Sequence, residues 1–130
     1  MLFRSLKQIY DIEIQYMDEN IGRVLDGLET AGRREDTVVV LVSDHGQGLG
    51  DHGWWTHGIL YQEQIRIPLI IRAPGVPAGR RVDHLVRTID IAPTIMDLVG
   101  LDRGTLGAPD GASLVPMLED RKSTRLNSSH

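Results

Sequence analysis

Residues 38–51 read VVVLVSDHGQGLGD, and this stretch decides how the rest of the chain is interpreted. Its five leading aliphatic residues show no polar alternation, which is typical of a strand covered on both faces of a sheet. Asp44 and His45 follow where that strand must end. In an open α/β sheet, ligands bind in the crevice beyond the carboxyl ends of the strands. The sequence therefore places a candidate site directly after this strand.

Asp44 and His45 bring two kinds of metal-binding atom to adjacent positions. A carboxylate offers hard anionic oxygens and an imidazole offers a neutral nitrogen, so together they make half of a metal site. An isolated Asp-His pair is more often a turn cap beside a backbone-bonded histidine, because short motifs match by chance. Here the pair lies between a buried strand and a glycine-rich loop, where backbone can approach a ligand closely. This context favours metal binding.

The loop is also rich in histidine, with His45, His52 and His57 inside thirteen positions. An imidazole can donate a proton near neutral pH, or bind an oxyanion when it is charged. We therefore take His57 as a candidate catalytic residue, against the usual alternative of a surface histidine, and His52 as structural support. Trp54 and Trp55 fit the wall of a substrate pocket and simple packing equally well.

The composition limits the class of protein. The 130 residues suffice for one ordinary domain, and 41% hydrophobic with 25% charged residues is typical of a soluble globular protein. A formal charge of −4 argues against a nucleic-acid partner. The absence of cysteine excludes disulfides and thiolate metal sites. No apolar run is long enough to span a bilayer.

The spacing of apolar residues predicts an alternation of helices and strands. Asp90 is predicted to be an N-cap, Gly32 a C-cap, and Glu63 with Arg66 an ion pair. Residues 121–130 are polar and aperiodic, so we predict disorder there. The predicted elements are a helix over 4–31, a strand over 37–42, a short helix over 58–64 with Leu60 and Tyr61 turned inward, a strand over 67–73, a short strand over 82–86 that contains His84, and helices over 90–99 and 113–118.

Five motifs, in this order, resemble the sulfatase family of the alkaline phosphatase superfamily. They are S-D-H-G at 43–46, L-G-D-H-G at 49–53, Y-Q-E-x-x-R-I-P at 61–68, D-I-A-P-T at 90–94 and G-A-S-L-x-P-x-L at 111–118. Each motif alone is moderately specific, and all five in order are a strong signal. The resemblance covers about residues 10–120. It implies an α/β fold, an alkaline-phosphatase-like sandwich with a mainly parallel central sheet, of which this chain carries a part.

The resemblance implies a metal-dependent hydrolase of sulfate esters. Asp44 and His45 match the family positions that bind a divalent cation, usually calcium, with magnesium, manganese and zinc left open. His57 lies where the family usually has a sulfate-binding lysine, so it is expected to contact a sulfate oxygen or protonate the leaving alcohol. The expected substrate is a sulfated small molecule or glycan. By family tendency the location is periplasmic or extracellular, with the cytoplasm also open.

Two departures from the family pattern qualify this interpretation. The C/S-x-P-x-R motif that yields the formylglycine nucleophile is absent, as are the paired N-terminal aspartates of the metal site. We therefore interpret residues 1–120 as the C-terminal portion of a sulfatase catalytic domain, inactive alone, with formylglycine expected upstream. Residues 121–130 are interpreted as a non-native tail, because they look like translated adaptor sequence.

Two alternative functions stay open at this point. One is a phosphodiesterase or phosphoglycerol-transferase-type member of the same superfamily, which also has Asp-His-Gly after a buried strand but uses threonine or serine as nucleophile. The other is a non-catalytic scaffold fragment that keeps the fold without the reaction.

Overall fold

The structure is a computed structural model that describes residues 2–107 and 110–119. Its first element is the long helix α1, Leu2–Thr30. Gly32 follows at φ +65°, and the N–H of Arg33 donates to the carbonyl of Leu28 at 2.9 Å. A left-handed residue after a helix lets the next N–H groups satisfy the last carbonyls. The predicted helix and its glycine C-cap are both confirmed. The predicted tail at 121–130 lies outside the described residues.

Two strands form the sheet of the described part of the chain. Strand β1 is Val39–Val42 and strand β2 is Leu69–Arg72, and the two are hydrogen-bonded neighbours. Both are shorter than predicted. The strand predicted over 82–86 is wrong, because these residues, including His84, have no regular structure. Leu85 in this segment is 96% exposed, so its side chain has no packing contact in the described residues that would stabilise a strand there.

The chain divides into two compact units between Ile70 and Ile71. The first unit also contains the short helix α2, Gln62–Ile65. The predicted inward placement of Leu60 and Tyr61 is wrong, since they are 88% and 43% exposed. Instead Gln64 is buried, and its Oε1 accepts a hydrogen bond from the Ile59 N–H at 2.9 Å. A buried amide therefore holds this turn where apolar packing was predicted.

Thr94 joins the two helices of the second unit. These are α3, Ile91–Leu98, and α4, Val115–Glu119. The Thr94 hydroxyl is fully buried, donates to the Asp90 carbonyl at 2.5 Å and accepts from the Leu114 N–H at 2.9 Å. Both capacities of the hydroxyl are used, as a buried polar group requires. The start of α3 and the entry to α4 are thereby fixed to one side chain.

Asp90 occupies the N-cap position of α3, as predicted, but its side chain makes no capping hydrogen bond to this helix. Its buried carboxylate accepts instead from the N–H groups of Arg87 at 2.8 Å and Ala112 at 2.9 Å, and pairs with the Arg87 guanidinium at 3.1 Å. The Ala112 N–H, followed by the Arg87 side chain, lowers the pKa of Asp90. Asp90 therefore ties the segment before α3 to the loop before α4.

Several large apolar side chains are exposed within the described residues. On α1, Ile12, Tyr16 and Val24 are 61%, 69% and 66% exposed, and Ile70 of β2 is 60% exposed. Apolar area left in water gives no stabilisation, so these faces add little to the stability of the described part. The helix and the sheet are thus well defined locally but sparsely covered.

In the second unit, the carboxylate of Asp97 makes the free energy of unfolding depend on pH. Arg103, which donates to both oxygens of Asp97, and then the Ser113 hydroxyl, lower the pKa of Asp97 to about 2. A lowered folded-state pKa stabilises the protein above the unfolded value, about 3.9, and this contribution is lost as pH falls towards the folded value. We expect Asp97→Asn to lower the urea midpoint at pH 7, with the difference from wild type narrowing below about pH 4.

The matched control is Asp110→Asn, which neutralises an exposed carboxylate of the same unit. It should leave the urea midpoint within error of wild type at each pH between 3 and 7. A midpoint difference for Asp97→Asn that stays constant over this range would contradict the assigned role of the Asp97–Arg103 pair.

Candidate active site

The structure brings Asp44 and His45 together directly after β1. The backbone N–H of His45 donates to Asp44 Oδ1 at 2.8 Å, and His45 Nε2 lies 3.7 Å from Asp44 Oδ2. The Ser43 hydroxyl donates to the His45 carbonyl at 2.6 Å. These local bonds turn the chain sharply and point the two side chains to the same place. Both are exposed, so an incoming ion can reach them.

The hydrogen bonds of His45 indicate which ring nitrogen is free. Nδ1 lies 2.7 Å from the Gly46 carbonyl oxygen. A carbonyl oxygen can only accept, so Nδ1 carries the hydrogen and Nε2 of the neutral ring keeps its lone pair. That lone pair lies 3.7 Å from Asp44 Oδ2, and an imidazole nitrogen and a carboxylate oxygen are both atoms that ligate divalent cations. The donor pair therefore fits a cation.

Asp44 is held in its charged form. The backbone N–H of His45 is the largest cause that lowers the pKa of Asp44. Hydrogen bonds to a carboxylate favour its ionised state. No third His, Asp or Glu joins this pair into a metal-binding group among residues 2–107 and 110–119. Any further carboxylate or imidazole ligand would come from outside this part of the chain.

His57 lies against His45 in the folded loop. The two rings are stacked, with centroids 3.9 Å apart and planes inclined by 29°. His57 Nδ1 lies 3.3 Å from Gln47 Oε1, and Gln47 Nε2 donates to the Trp55 carbonyl at 3.1 Å. The three residues singled out from the sequence, Asp44, His45 and His57, thus form one cluster. Sequence reasoning missed Gln47, whose only signal was its position between two glycines.

Glycines let the loop fold back on itself. The Gly46 N–H donates to the Gln64 carbonyl at 2.8 Å, and a Cβ on Gly46 would lie 2.1 Å from the Glu63 carbonyl oxygen. Gly50, at φ +98°, lies against the Trp55 indole, which would stand 2.6 Å from its Cβ. Any residue larger than glycine at these two positions would clash with the neighbouring atoms. The loop is therefore clamped to α2 at one end and closed by Trp55 at the other.

His52 and Glu63 support the same loop from another side. His52 has a left-handed backbone, φ +53° and ψ +21°, and its ring centroid lies 4.3 Å from that of Tyr61. His52 Nε2 lies 3.8 Å from Glu63 Oε1. The predicted Glu63–Arg66 pair is wrong, because α2 ends at Ile65 and Arg66 is extended, which breaks the i,i+3 geometry of a helix.

Comparisons with known proteins identify the family. A sequence model described as Sulfatase matches residues 5–101, and the chain belongs to this family. The chain is 41% identical over 123 residues to an N-acetylglucosamine-6-O-sulfatase of Bacteroides thetaiotaomicron, covering 94% of this chain and 22% of that protein. It is 35% identical over 124 residues to a choline-sulfatase of Rhizobium meliloti, covering 93% and 24%.

Solved structures agree with this assignment. One is a protein in complex with its substrate D-glucosamine-2-N,6-O-disulfate, with a TM-score of 0.76, 39% identity, and coverage of 88% of this chain and 23% of that one. Another is a phosphonate monoester hydrolase from Silicibacter pomeroyi, with a TM-score of 0.70, 42% identity, and coverage of 83% and 21%. The predicted family and the alkaline-phosphatase-like α/β fold are confirmed. This chain spans about a fifth to a quarter of these relatives.

Across the described residues, no helix combines the length and the apolar character needed to cross a membrane.

The close contact at Gly46 can be tested by an alanine substitution, with a second glycine at which alanine should have the opposite effect on stability. We expect Gly46→Ala to lower the free energy of unfolding by about 1–3 kcal/mol or more, since the methyl group would meet backbone rather than a movable side chain. Thermal unfolding of the variant and of wild type would be measured side by side.

Gly27→Ala is the matched control, because a Cβ there meets nothing within 4 Å in the described residues and the position is inside α1. Alanine in a helix interior should raise stability by about 0.5–1 kcal/mol. Equal, small effects of the two substitutions would show that the Gly46 contact does not hold the loop.

Proposed function

We propose that the complete protein carrying this chain is a metal-dependent sulfuric ester hydrolase. The observation that carries the proposal is that Asp44, His45 and His57 lie together in one loop of a sulfatase-family chain. His45 Nε2 lies 3.7 Å from Asp44 Oδ2, and the ring centroids of His45 and His57 are 3.9 Å apart. The proposed substrate is a sulfated small molecule or glycan, and sugar sulfates are the first to test. Support comes from the names of the relatives, which include an N-acetylglucosamine-6-O-sulfatase and a choline-sulfatase.

Asp44 and His45 would hold the divalent cation. Asp44 supplies an ionised oxygen, and His45 presents Nε2 because its Nδ1–H is already bonded to the Gly46 carbonyl. Calcium is proposed first; the Asp44 oxygen also suits magnesium or manganese, and the His45 nitrogen suits zinc. Bound there, a cation would polarise the sulfuryl oxygens and stabilise an anionic nucleophile. In this proposal the nucleophile is a formylglycine supplied from elsewhere in the protein.

His57 would act on the substrate through Nε2, since its Nδ1 faces Gln47. In its charged form the ring can contact a sulfate oxygen, which carries the negative charge of the ester. It can also give the Nε2 proton to the departing alcohol oxygen. In this segment the cation ligands and the proton donor would thus come from one loop.

A cation-binding role for Asp44 can be measured directly. We expect Asp44→Ala in the complete enzyme to reduce bound divalent metal, measured by elemental analysis, and to reduce turnover of 4-nitrophenyl sulfate by at least about 100-fold. Asp51→Asn changes another exposed carboxylate of the same loop and should keep wild-type metal content and rate. Retention of both metal and activity by Asp44→Ala would refute the ligand role.

The same preparation distinguishes sulfate from phosphonate chemistry. A phosphonate monoester hydrolase is among the similar solved structures, so a 4-nitrophenyl phosphonate monoester is the appropriate competitor substrate. A higher kcat/KM for the sulfate ester is expected. A reversed preference would assign the protein to the phosphonate branch, and activity on neither ester would favour a scaffold role.

The two roles of His57 differ in their dependence on the leaving group. If His57 protonates the leaving alcohol, His57→Ala should reduce kcat/KM for an alkyl or sugar sulfate by about 100- to 10,000-fold and affect 4-nitrophenyl sulfate much less. If it contacts only sulfate oxygen, both esters should lose rate equally. Unchanged rates on both esters would exclude His57 from the reaction.

A further inference from the structure

Gln47 bridges two parts of the folded loop with its side-chain amide. Its Nε2 donates to the Trp55 carbonyl at 3.1 Å, and its Oε1 lies 3.3 Å from His57 Nδ1. Gln47 is half-buried, its contact with the Trp55 carbonyl is partly buried, and its contact with His57 is exposed. Neither contact is used by the proposed cation site.

The two contacts together determine the orientation of the amide. A backbone carbonyl can only accept, so the amide NH₂ must face Trp55 and the amide oxygen must face His57. That oxygen also can only accept. His57 Nδ1 therefore carries a hydrogen, so Nε2 is the ring nitrogen left to exchange a proton with the substrate.

We infer that Gln47 is a positioning residue for His57. It holds the hydrogen on Nδ1 and leaves Nε2 as the ring nitrogen that meets the substrate, while the stacked His45 ring fixes the plane from a second side. A histidine that works through one nitrogen needs its other nitrogen occupied in this way. The inference rests on the proposed function, because it gives Gln47 a role only through His57.

The experiment compares Gln47→Met, Gln47→Glu and Gln64→Met in the complete enzyme. Methionine removes both amide contacts at similar size, whereas glutamate keeps an acceptor opposite His57 Nδ1. Gln64 is the control for a purely structural glutamine, since its Oε1 supports the Ile59 backbone and no contact with His57 is seen. Kinetics on a sugar sulfate are combined with nitrogen NMR of ¹⁵N-histidine-labelled enzyme, with His57→Asn to assign the ring signals.

We expect wild type to show Nδ1 protonated and Nε2 unprotonated in the neutral His57 ring. Gln47→Met should mix the two tautomers and lower kcat by about 10- to 100-fold with a smaller change in KM. Gln47→Glu should restore the Nδ1–H signature. Gln64→Met should lower the melting temperature without changing the tautomer.

The inference is overturned if Gln47→Met keeps the wild-type nitrogen spectrum, or if it behaves as Gln64→Met does. Failure of the proposed function looks different. In that case His57→Asn leaves kcat unchanged, while the nitrogen spectrum of Gln47→Met still shows whether Gln47 sets the tautomer.

Discussion

The contact between Gly46 and the backbone of residues 63–64 is the constraint on which the candidate site depends. One N–H to carbonyl bond of 2.8 Å and a space too small for a methyl group hold the loop after β1 against α2. Asp44 and His45 immediately precede this point, so their directions follow from where the backbone is pinned. A site on a loop is usually less precise than one on a helix or strand, and this contact compensates by making the loop part of a packed element.

The side chains of the site are held mainly by the main chain. The Ser43 hydroxyl, the His45 ring and the Gln47 amide each bond to a carbonyl of this loop. These bonds do not use three atoms of the site, which can therefore contact an ion or a substrate: His45 Nε2, Asp44 Oδ2 and His57 Nε2. Orientation set before the ligand arrives reduces the entropy that binding must overcome. Exposure of the cluster is then compatible with a defined geometry.

The sequence predicted those features that local patterns encode. The length of α1, its glycine C-cap, the position of β1 and the cluster of Asp44, His45 and His57 follow from periodicity, from glycine chemistry and from the motif after the strand. The errors involve contacts that no local pattern contains. Asp90 accepts from the Ala112 N–H, 22 positions away, and Glu63 Oε1 lies 3.8 Å from His52 Nε2 instead of pairing with its near neighbour Arg66. The exposure of Leu60 likewise depends on which residues pack over it in the folded chain, and a local pattern does not contain that information. Gln47 was missed because a glutamine in a glycine-rich loop carries no signal of its partner.

Trp55 contributes two separable things, a flat indole lying over Gly50 and a carbonyl that orients Gln47. The second is main chain, so every amino acid at this position provides it. Replacing the Trp55 side chain would therefore change what lies over Gly50, while the carbonyl that accepts from Gln47 Nε2 would remain. The closure of the loop and the orientation of the Gln47 amide thus depend on different atoms of one residue.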